Sequence, residues 1–477
     1  MEMTAEARLD DTKPSEAPQT AMAATPLSDR LSKVAEPAHK KGCQMSTKSE
    51  RETPRIIVVG GGVAGLILAT RLGHRLGRRG LARVSLIDRS WIHVWKPMLH
   101  TFAAGTWSLY EQQVQYVAHA RTHHFEYIPG QLDAIDRAGR RIRLAPVQVA
   151  GEVVAGAREL EYDVLVLAFG SRANDFGTPG VVEHCHFIDS HDQADAFNAR
   201  LRAHVVRSFA QGGNIDIAIV GGGATGVELA AELSRMVELA AGYGEADIRQ
   251  RLRLTLLESA PRILNAFPEA VSASAASQLR ALGVDVRTGV RVVAADAEGF
   301  LLGGGERVPA ALKVWAAGIR ASGNFDESGL ELNRAGQVVV GPNLLAKGEQ
   351  FIFALGDCAC LVPEGAARPL PSTAQVANQQ ALHLIRHLPA WLKGTPVPPY
   401  SFRDLGALVA LSDYNAFGTL GRFGFFKGGF IKGRFAQLSH AVLYRRHQLS
   451  LHGPSRAALL WLAERINALV QPNIRIS

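Results

Sequence analysis

The residues best spaced to do chemistry lie in two glycine-rich turns. In the first, Gly60-Gly61-Gly62-Val63-Ala64-Gly65 sits inside RIIVVGGGVAGLILATRL; in the second, Gly221, Gly223 and Gly226 repeat the spacing inside IDIAIVGGGATGVELAAEL. In such a turn the first glycine permits the bend, the second lets a pyrophosphate approach the backbone, and the third lets helix pack on strand. The helix N-terminus then offers N–H donors and positive dipole to the phosphates. A tight turn alone can demand glycine, but here an apolar β-type run precedes each turn and a helical pattern follows it. A carboxylate completes each unit, at the tip of the next strand, placed for ribose hydroxyls: Asp88 ends VSLID and Glu258 ends LRLTLLE. Their offsets, 28 residues from Gly60 and 37 from Gly221, exceed the usual ~20, so strand-end position carries the assignment more than spacing does. A carboxylate at Glu258 accepts both adenosine ribose hydroxyls and repels a 2′-phosphate, which favours NADH over NADPH.

Two further acids stand beside these elements. Glu228 follows Gly226 by two residues on the first turn of its helix; it is either favourable charge at a helix N-terminus or a group that faces the nicotinamide. FIFALGDCA reads as a strand that delivers Gly356 and Asp357 at its carboxyl end. Asp357 is therefore either a turn residue or a partner for a ribityl hydroxyl. The four cysteines, Cys43, Cys185, Cys358 and Cys360, are too few and too irregular for a disulfide framework, and the last pair lacks zinc-finger spacing. The expectation is a reducing compartment and no metal site.

The length of 477 residues accommodates two or three domains. Two strand–turn–helix units about 160 residues apart predict an α/β protein with two Rossmann-like dinucleotide-binding domains. Residues 1 to 53 lack apolar periodicity and read as a disordered arm without a signal-peptide core, and Met45 looks like a natural start. Of the formal charge of +8, residues 402–477 hold +7, from ten Lys/Arg against Asp404, Asp413 and Glu464. No nucleic-acid motif accompanies this excess, and no uninterrupted apolar run of about 18 residues exists. A C-terminal amphipathic membrane-surface segment, contacting an anionic membrane from one side, is the expectation. In GFFKGGFIKGRF, Phe425, Phe426, Phe430 and Ile431 would enter the interface, with Lys427, Lys432 and Arg434 at headgroups. Further on, Leu459, Leu462, Ile466 and Leu469 form one helical stripe, a pattern shared by membrane-facing and core-packing helices. Phe435, Leu438 and Val442, followed by YRRH, form a second.

From residue 55 to about 360 the order of motifs resembles the flavoproteins with two dinucleotide-binding domains: first fingerprint, LAFGS, second fingerprint, WAAG, LGD. AQVANQQ (374–380) and WKPMLHTFAAG (95–105) are similar to the AQxAxQQ and xPLLxxxAxG segments of the type II, non-pumping NADH:quinone oxidoreductases. With GATGVEL and the basic C-terminus, the resemblance extends over residues 55–477. It implies an FAD-binding domain at 54–172 and 320–400, an NADH-binding domain at 173–319 and a membrane-association region at 401–477. It further implies non-covalent FAD held by Gly60, Gly61, Gly62, Val63, Ala64, Gly65 and Asp88, by the Leu132 backbone on the adenine side, and by Asp357 at the ribityl chain. Gly221, Gly223, Gly226, Glu228 and Glu258 would bind NADH, and Gln375 and Gln379 would lie at the quinone side. A neutral amide there can donate to a quinone carbonyl or accept from a quinol hydroxyl; the plain alternative is a helix face that ties down a turn. Asn378 stands where some members have His, and Met98 replaces the first Leu of PLL, so the motif leaves proton delivery open.

The implied activity is hydride transfer from NADH to FAD, then two electrons to a membrane quinone, ubiquinone or menaquinone. No proton is pumped, and the protein would be monotopic on the cytoplasmic face of the inner membrane. Whether a homodimer forms stays open. Two alternatives share the fold. A sulfide:quinone reductase needs redox cysteines facing the flavin, one of them where this chain has GGGATGVE. An apoptosis-inducing-factor-like flavoprotein, in which nucleotide state controls partners, is separated from an enzyme by turnover.

Overall fold

The computed structural model describes residues 53–106, 113–242, 248–323, 325–412, 415–420, 422–423, 426–427, 430–432 and 434–470. The expectations for the N-terminal arm and for the side chains of 425–438 lie outside the described residues.

Each glycine turn leaves an inner strand of a parallel sheet. The first sheet runs in the order Ile352–Ala354, Val164–Leu167, Arg55–Val59, Arg83–Asp88, Glu126–Pro129. The second runs Val284–Thr288, Leu252–Glu258, Ile215–Val220, Leu312–Trp315. Both are Rossmann-like: helices Val63–Arg75 and Ala224–Gly242 follow the turns, and each acidic strand lies beside its glycine strand. Burial on both faces explains why VLVL (164–167) reads as a continuous apolar run rather than an alternating one. The strand Ile352–Ala354 returns to the first sheet after the second is complete, so the first unit is discontinuous.

The second core draws on distant sequence. Met98, Leu99, Phe102, Ala103 and Ala104 pack with the second sheet's strands and with Val409, Leu411 and Phe417. The last three lie on the antiparallel strands Gly406–Leu411 and Asn415–Leu420. Part of residues 401–477, expected as a membrane-association region, therefore also contributes to the core. The final helix, Arg434–Val470, breaks at Gly453, whose φ of 76° and ψ of 171° are not helical, and Pro454 follows the break. Beyond it Leu459, Leu462, Ile466 and Leu469 are 66%, 57%, 52% and 84% exposed. That stripe faces outward rather than into the core. No described helix is long and apolar enough to cross a membrane.

The first stretch of this helix docks through histidines. His447 Nε2 lies 3.0 Å from His93 Nε2, and its ring centroid lies 4.2 Å from that of Trp95 at a tilt of 34°. His452 meets His119, whose Nε2 lies 2.8 Å from Thr70 Oγ1. Burial lowers every one of these rings, His93 to about 4 and His119 to about 2, and His447 and His452 share the direction. Burial also lowers the neighbouring His123 to about 4, with His74, Arg456, His452 and Arg71 adding repulsion. Unfolded imidazoles titrate near 6.5, so as pH falls below that value the unfolded chain binds protons that the folded chain refuses. The stability these neutral rings support is complete above about pH 6.5 and is lost as pH falls toward about 4. Thermal melts of the holoprotein should show a falling midpoint from pH 7 downward, steeper than in a His93→Phe/His447→Phe variant; equal slopes would sink the assignment.

The turn itself separates two kinds of glycine. Gly60 has φ +103°, and a Cβ there would stand 2.4 Å from the Ala168 carbonyl oxygen; at Gly62 a Cβ meets nothing within 4 Å. Gly60→Ala should therefore cost at least about 2 kcal/mol. Gly62→Ala should stay within about 0.5 kcal/mol of the parent apoprotein. Denaturant unfolding of the apoproteins tests the contrast.

Candidate active site

The two turns are built alike to the level of single hydrogen bonds. The Gly60 N–H donates to the Ile87 carbonyl at 2.7 Å, and the Gly221 N–H to the Leu257 carbonyl at 2.8 Å. The Gly61 N–H donates to Asp88 Oδ2 at 2.6 Å and the Ser90 N–H to Oδ1 at 2.8 Å. In the second unit the Gly222 N–H donates to Glu258 Oε2 at 2.6 Å and the Ala260 N–H to Oε1 at 2.7 Å. A carboxylate has about four acceptor positions, so each acid keeps capacity for ribose hydroxyls while it braces the turn. Burial raises Asp88 above the ordinary carboxylate range, opposed by the Ser90 and Gly61 amides.

The cradle fits dinucleotides. No side chain caps the helix at Gly62, so the donors of its first turn are not taken by a cap. The Cβ positions of Gly62 and Gly223 point into open space, whereas Gly65 and Gly226 are pressed against the Gly60 and Gly221 carbonyls. Backbone amides, helix dipole and open room are what a pyrophosphate requires. Leu132 opens the strand Leu132–Asp136, just past the strand that pairs with Asp88. The Gly61 carbonyl is itself pinned, by the Tyr116 hydroxyl at 2.7 Å and His93 Nδ1 at 2.8 Å. Neither pin has a motif signal, since both come from sequence-distant segments.

At the other end of the first sheet, Gly356–Cys358 forms a short turn. The Ser171 hydroxyl donates to Asp357 Oδ2 at 2.7 Å, and the Gly356 N–H donates to Gln380 Oε1 at 2.7 Å. Gln380 is the final residue of AQVANQQ; it reaches the turn from helix Ala374–Trp391, whose N-cap is Thr373. Gln375 and Gln379, on the same helix, hold backbone. Gln375 Nε2 donates to the Gly406 carbonyl at 2.9 Å while its Oε1 accepts from the Leu405 N–H at 2.8 Å. Gln379 does the same to Arg403, at 2.8 and 3.1 Å. The contacts of a helix face tying down a turn are thus present.

Glu228 reaches the same C-terminal segment from the second unit. It is 8% exposed, and its Oε1 accepts from the Ala410 N–H at 3.1 Å. Its Oε2 lies 3.5 Å from His100 Nδ1, on the helix Leu99–Ala104. Burial, with Glu232 nearby, pushes the Glu228 carboxyl up to about 8 against the opposing Ala410 bond. A carboxyl so placed holds a proton at neutral pH and can exchange it. Sequence reading singled out Glu228 but not His100, although WKPMLH contains it.

Thiol chemistry has little support in this geometry. Burial raises Cys185 and Cys358 to about 12 each, and the Cys358 thiol donates to the Leu355 carbonyl at 3.1 Å. Reactive cysteines have lowered, not raised, values.

Comparison with known proteins follows the same lines. Residues 54–381 match the family described as pyridine nucleotide-disulphide oxidoreductase. A type II NADH:quinone oxidoreductase of Haemophilus influenzae is 37% identical over 445 residues, covering 88% of this chain and 99% of that protein. Among solved structures, NDH2 from Plasmodium falciparum in complex with NADH superposes with a TM-score of 0.76 at 17% identity, covering 89% of this chain and 100% of that chain. The sulfide:quinone oxidoreductase of Aquifex aeolicus reaches 0.67 at 18% identity, over 87% of this chain and 95% of that chain, a likeness of fold alone. Paired glycine–carboxylate turns, the family match and a relative of this identity over nearly its full length have one reading: the chain belongs to the pyridine nucleotide-disulphide oxidoreductases and, within them, to the type II NADH:quinone oxidoreductases.

Proposed function

We propose that this protein is a non-pumping NADH:quinone oxidoreductase that works on a membrane surface. The observation that carries the reading is the duplicated turn, one copy per sheet, each braced by a carboxylate with acceptor capacity to spare. When bound, FAD supplies the two-electron carrier between NADH and quinone. Gly60 to Gly65 and Asp88 hold its ADP half, Leu132 lies on the adenine side, and Asp357, steadied by Ser171, takes the ribityl chain. Gly221, Gly223, Gly226 and Glu258 bind NADH, and buried Glu228 carries an exchangeable proton beside it. Gln375 and Gln379 shape the quinone side by holding residues 403–406. The domain boundaries belong to the same proposal: FAD at 54–172 and 320–400, NADH at 173–319.

For the membrane, support comes from charge and exposure together. The basic excess of residues 402–477 and the outward stripe of Leu459, Leu462, Ile466 and Leu469 are the two signals that monotopic binding combines. Attachment is to the cytoplasmic face of an inner membrane, where NADH is available. Deleting everything after residue 400 would also remove core residues Val409, Leu411 and Phe417, so surface substitutions are the cleaner probe.

Two experiments follow. FAD-loaded protein should oxidise NADH with a short-chain quinone, and the four stripe residues changed to Ser should keep that turnover while losing sedimentation with anionic liposomes. Absence of quinone reduction overturns the activity; unchanged sedimentation overturns the membrane face. Separately, Glu258→Gln should lower the ratio of kcat/KM for NADH over NADPH at least about tenfold, because the charge that repels a 2′-phosphate is gone. An unchanged ratio would remove Glu258 from the ribose site.

A further inference from the structure

The helix-to-helix and helix-to-strand contacts around Glu228 join parts of the chain with no common motif. Glu228 and Glu232 are one turn apart on helix Ala224–Gly242, both buried, and face the same segment of the first half of the chain. His100 stands 3.5 Å from Glu228, and the Thr106 hydroxyl donates to Glu232 Oε2 at 2.5 Å. The remaining Glu228 oxygen takes the Ala410 N–H. His100 is 4% exposed, so at this distance water is a poor substitute for it. The same segment continues back to Lys96, which donates to the Ser171 carbonyl at 3.0 Å, while the Ser171 hydroxyl holds Asp357. His100 thus lies on a short stretch that touches the first cofactor unit at one end and the second at the other.

We propose that His100 is a positioning residue for the redox reaction: its imidazole stands against the Glu228 carboxyl across the boundary between the two cofactor units and favours release of the proton that carboxyl carries. This rests on the reading of Glu228 given above. The overall conversion, NADH plus one proton plus quinone to NAD+ plus quinol, draws one proton from outside the two substrates. A buried acid that is protonated at neutral pH suits that demand, and its partner decides how readily the proton moves. A ring that donates to the ionised carboxylate, or carries positive charge beside it, favours ionisation. Glu232 acts in the opposite sense by repulsion, and the Ala410 N–H favours ionisation. Removing His100 leaves only the Ala410 N–H against burial and Glu232, so the carboxyl should hold its proton to higher pH.

Infrared spectra of the holoenzyme across about pH 6 to about pH 10 read the carboxyl directly. A protonated-carboxyl band should titrate near 8 and be absent in Glu228→Gln. In His100→Ala the midpoint should rise by about one unit, and His100→Gln, which keeps a donor, should restore it. The pH profile of NADH oxidation should move in step. In a double-mutant cycle, His100→Ala should change the rate in the parent but not further in the Glu228→Gln background. Bound FAD, read from its absorbance, identifies variants that keep the fold; His100→Gln serves if His100→Ala does not. An unmoved band, or additive rate losses, overturns the proposal for His100. If the band moves as expected but Glu228→Gln oxidises NADH at the parental rate, the pairing stands and the catalytic reading of Glu228 falls.

Discussion

Everything in this fold leans on one hydrogen bond, used twice: a glycine N–H in the turn donating to a carboxylate at the end of the next strand. The bond closes the turn against its own sheet, aims the following helix's N-terminus at the space above, and leaves the acid with acceptor positions facing the same space. A neutral side chain there could brace the turn but would bring no charge to the space above it. Because the same geometry recurs in both units, two dinucleotides fit one local design.

The constraint propagates outward through backbone contacts rather than through a catalytic cluster. Gln380 satisfies the Gly356 amide, Gln375 and Gln379 satisfy residues 403–406, and Glu228 satisfies Ala410. Two helices from different units therefore grip the chain just before it turns toward the C-terminal helix. The buried Gly356 amide left without its partner would cost about 1–3 kcal/mol. The polar side chains of AQVANQQ thus tie down the segment leading into the C-terminal strands, which Val409, Leu411 and Phe417 seat on the second core. The final helix completes the arrangement: its first stretch is docked by neutral, buried histidines and its second turns an apolar stripe outward.

Much of this was legible in the residues. The glycine spacing, the acids at strand ends and the Gly356-Asp357 turn are local features, and local stereochemistry dictates them. The C-terminal stripe was legible as a stripe but not as a direction, because an amphipathic helix looks the same whether its apolar face meets core or lipid. Val409, Leu411 and Phe417 were read with the membrane region, yet they pack in the second core; the Gly-rich, aromatic and basic stretch that follows them masks short core strands.

The sequence by itself determined the two nucleotide turns, their carboxylates and the family, because those depend on spacings of a few residues within one strand–turn–helix unit. Tertiary structure alone decided what Gln375, Gln379 and Glu228 touch, that His93 and Tyr116 pin the Gly61 carbonyl, and that His100 stands beside Glu228. Those partners are separated by dozens to hundreds of residues along the chain. No periodicity encodes them; they meet because two sheets, each buried on both faces, must be covered by whatever segments the chain can return.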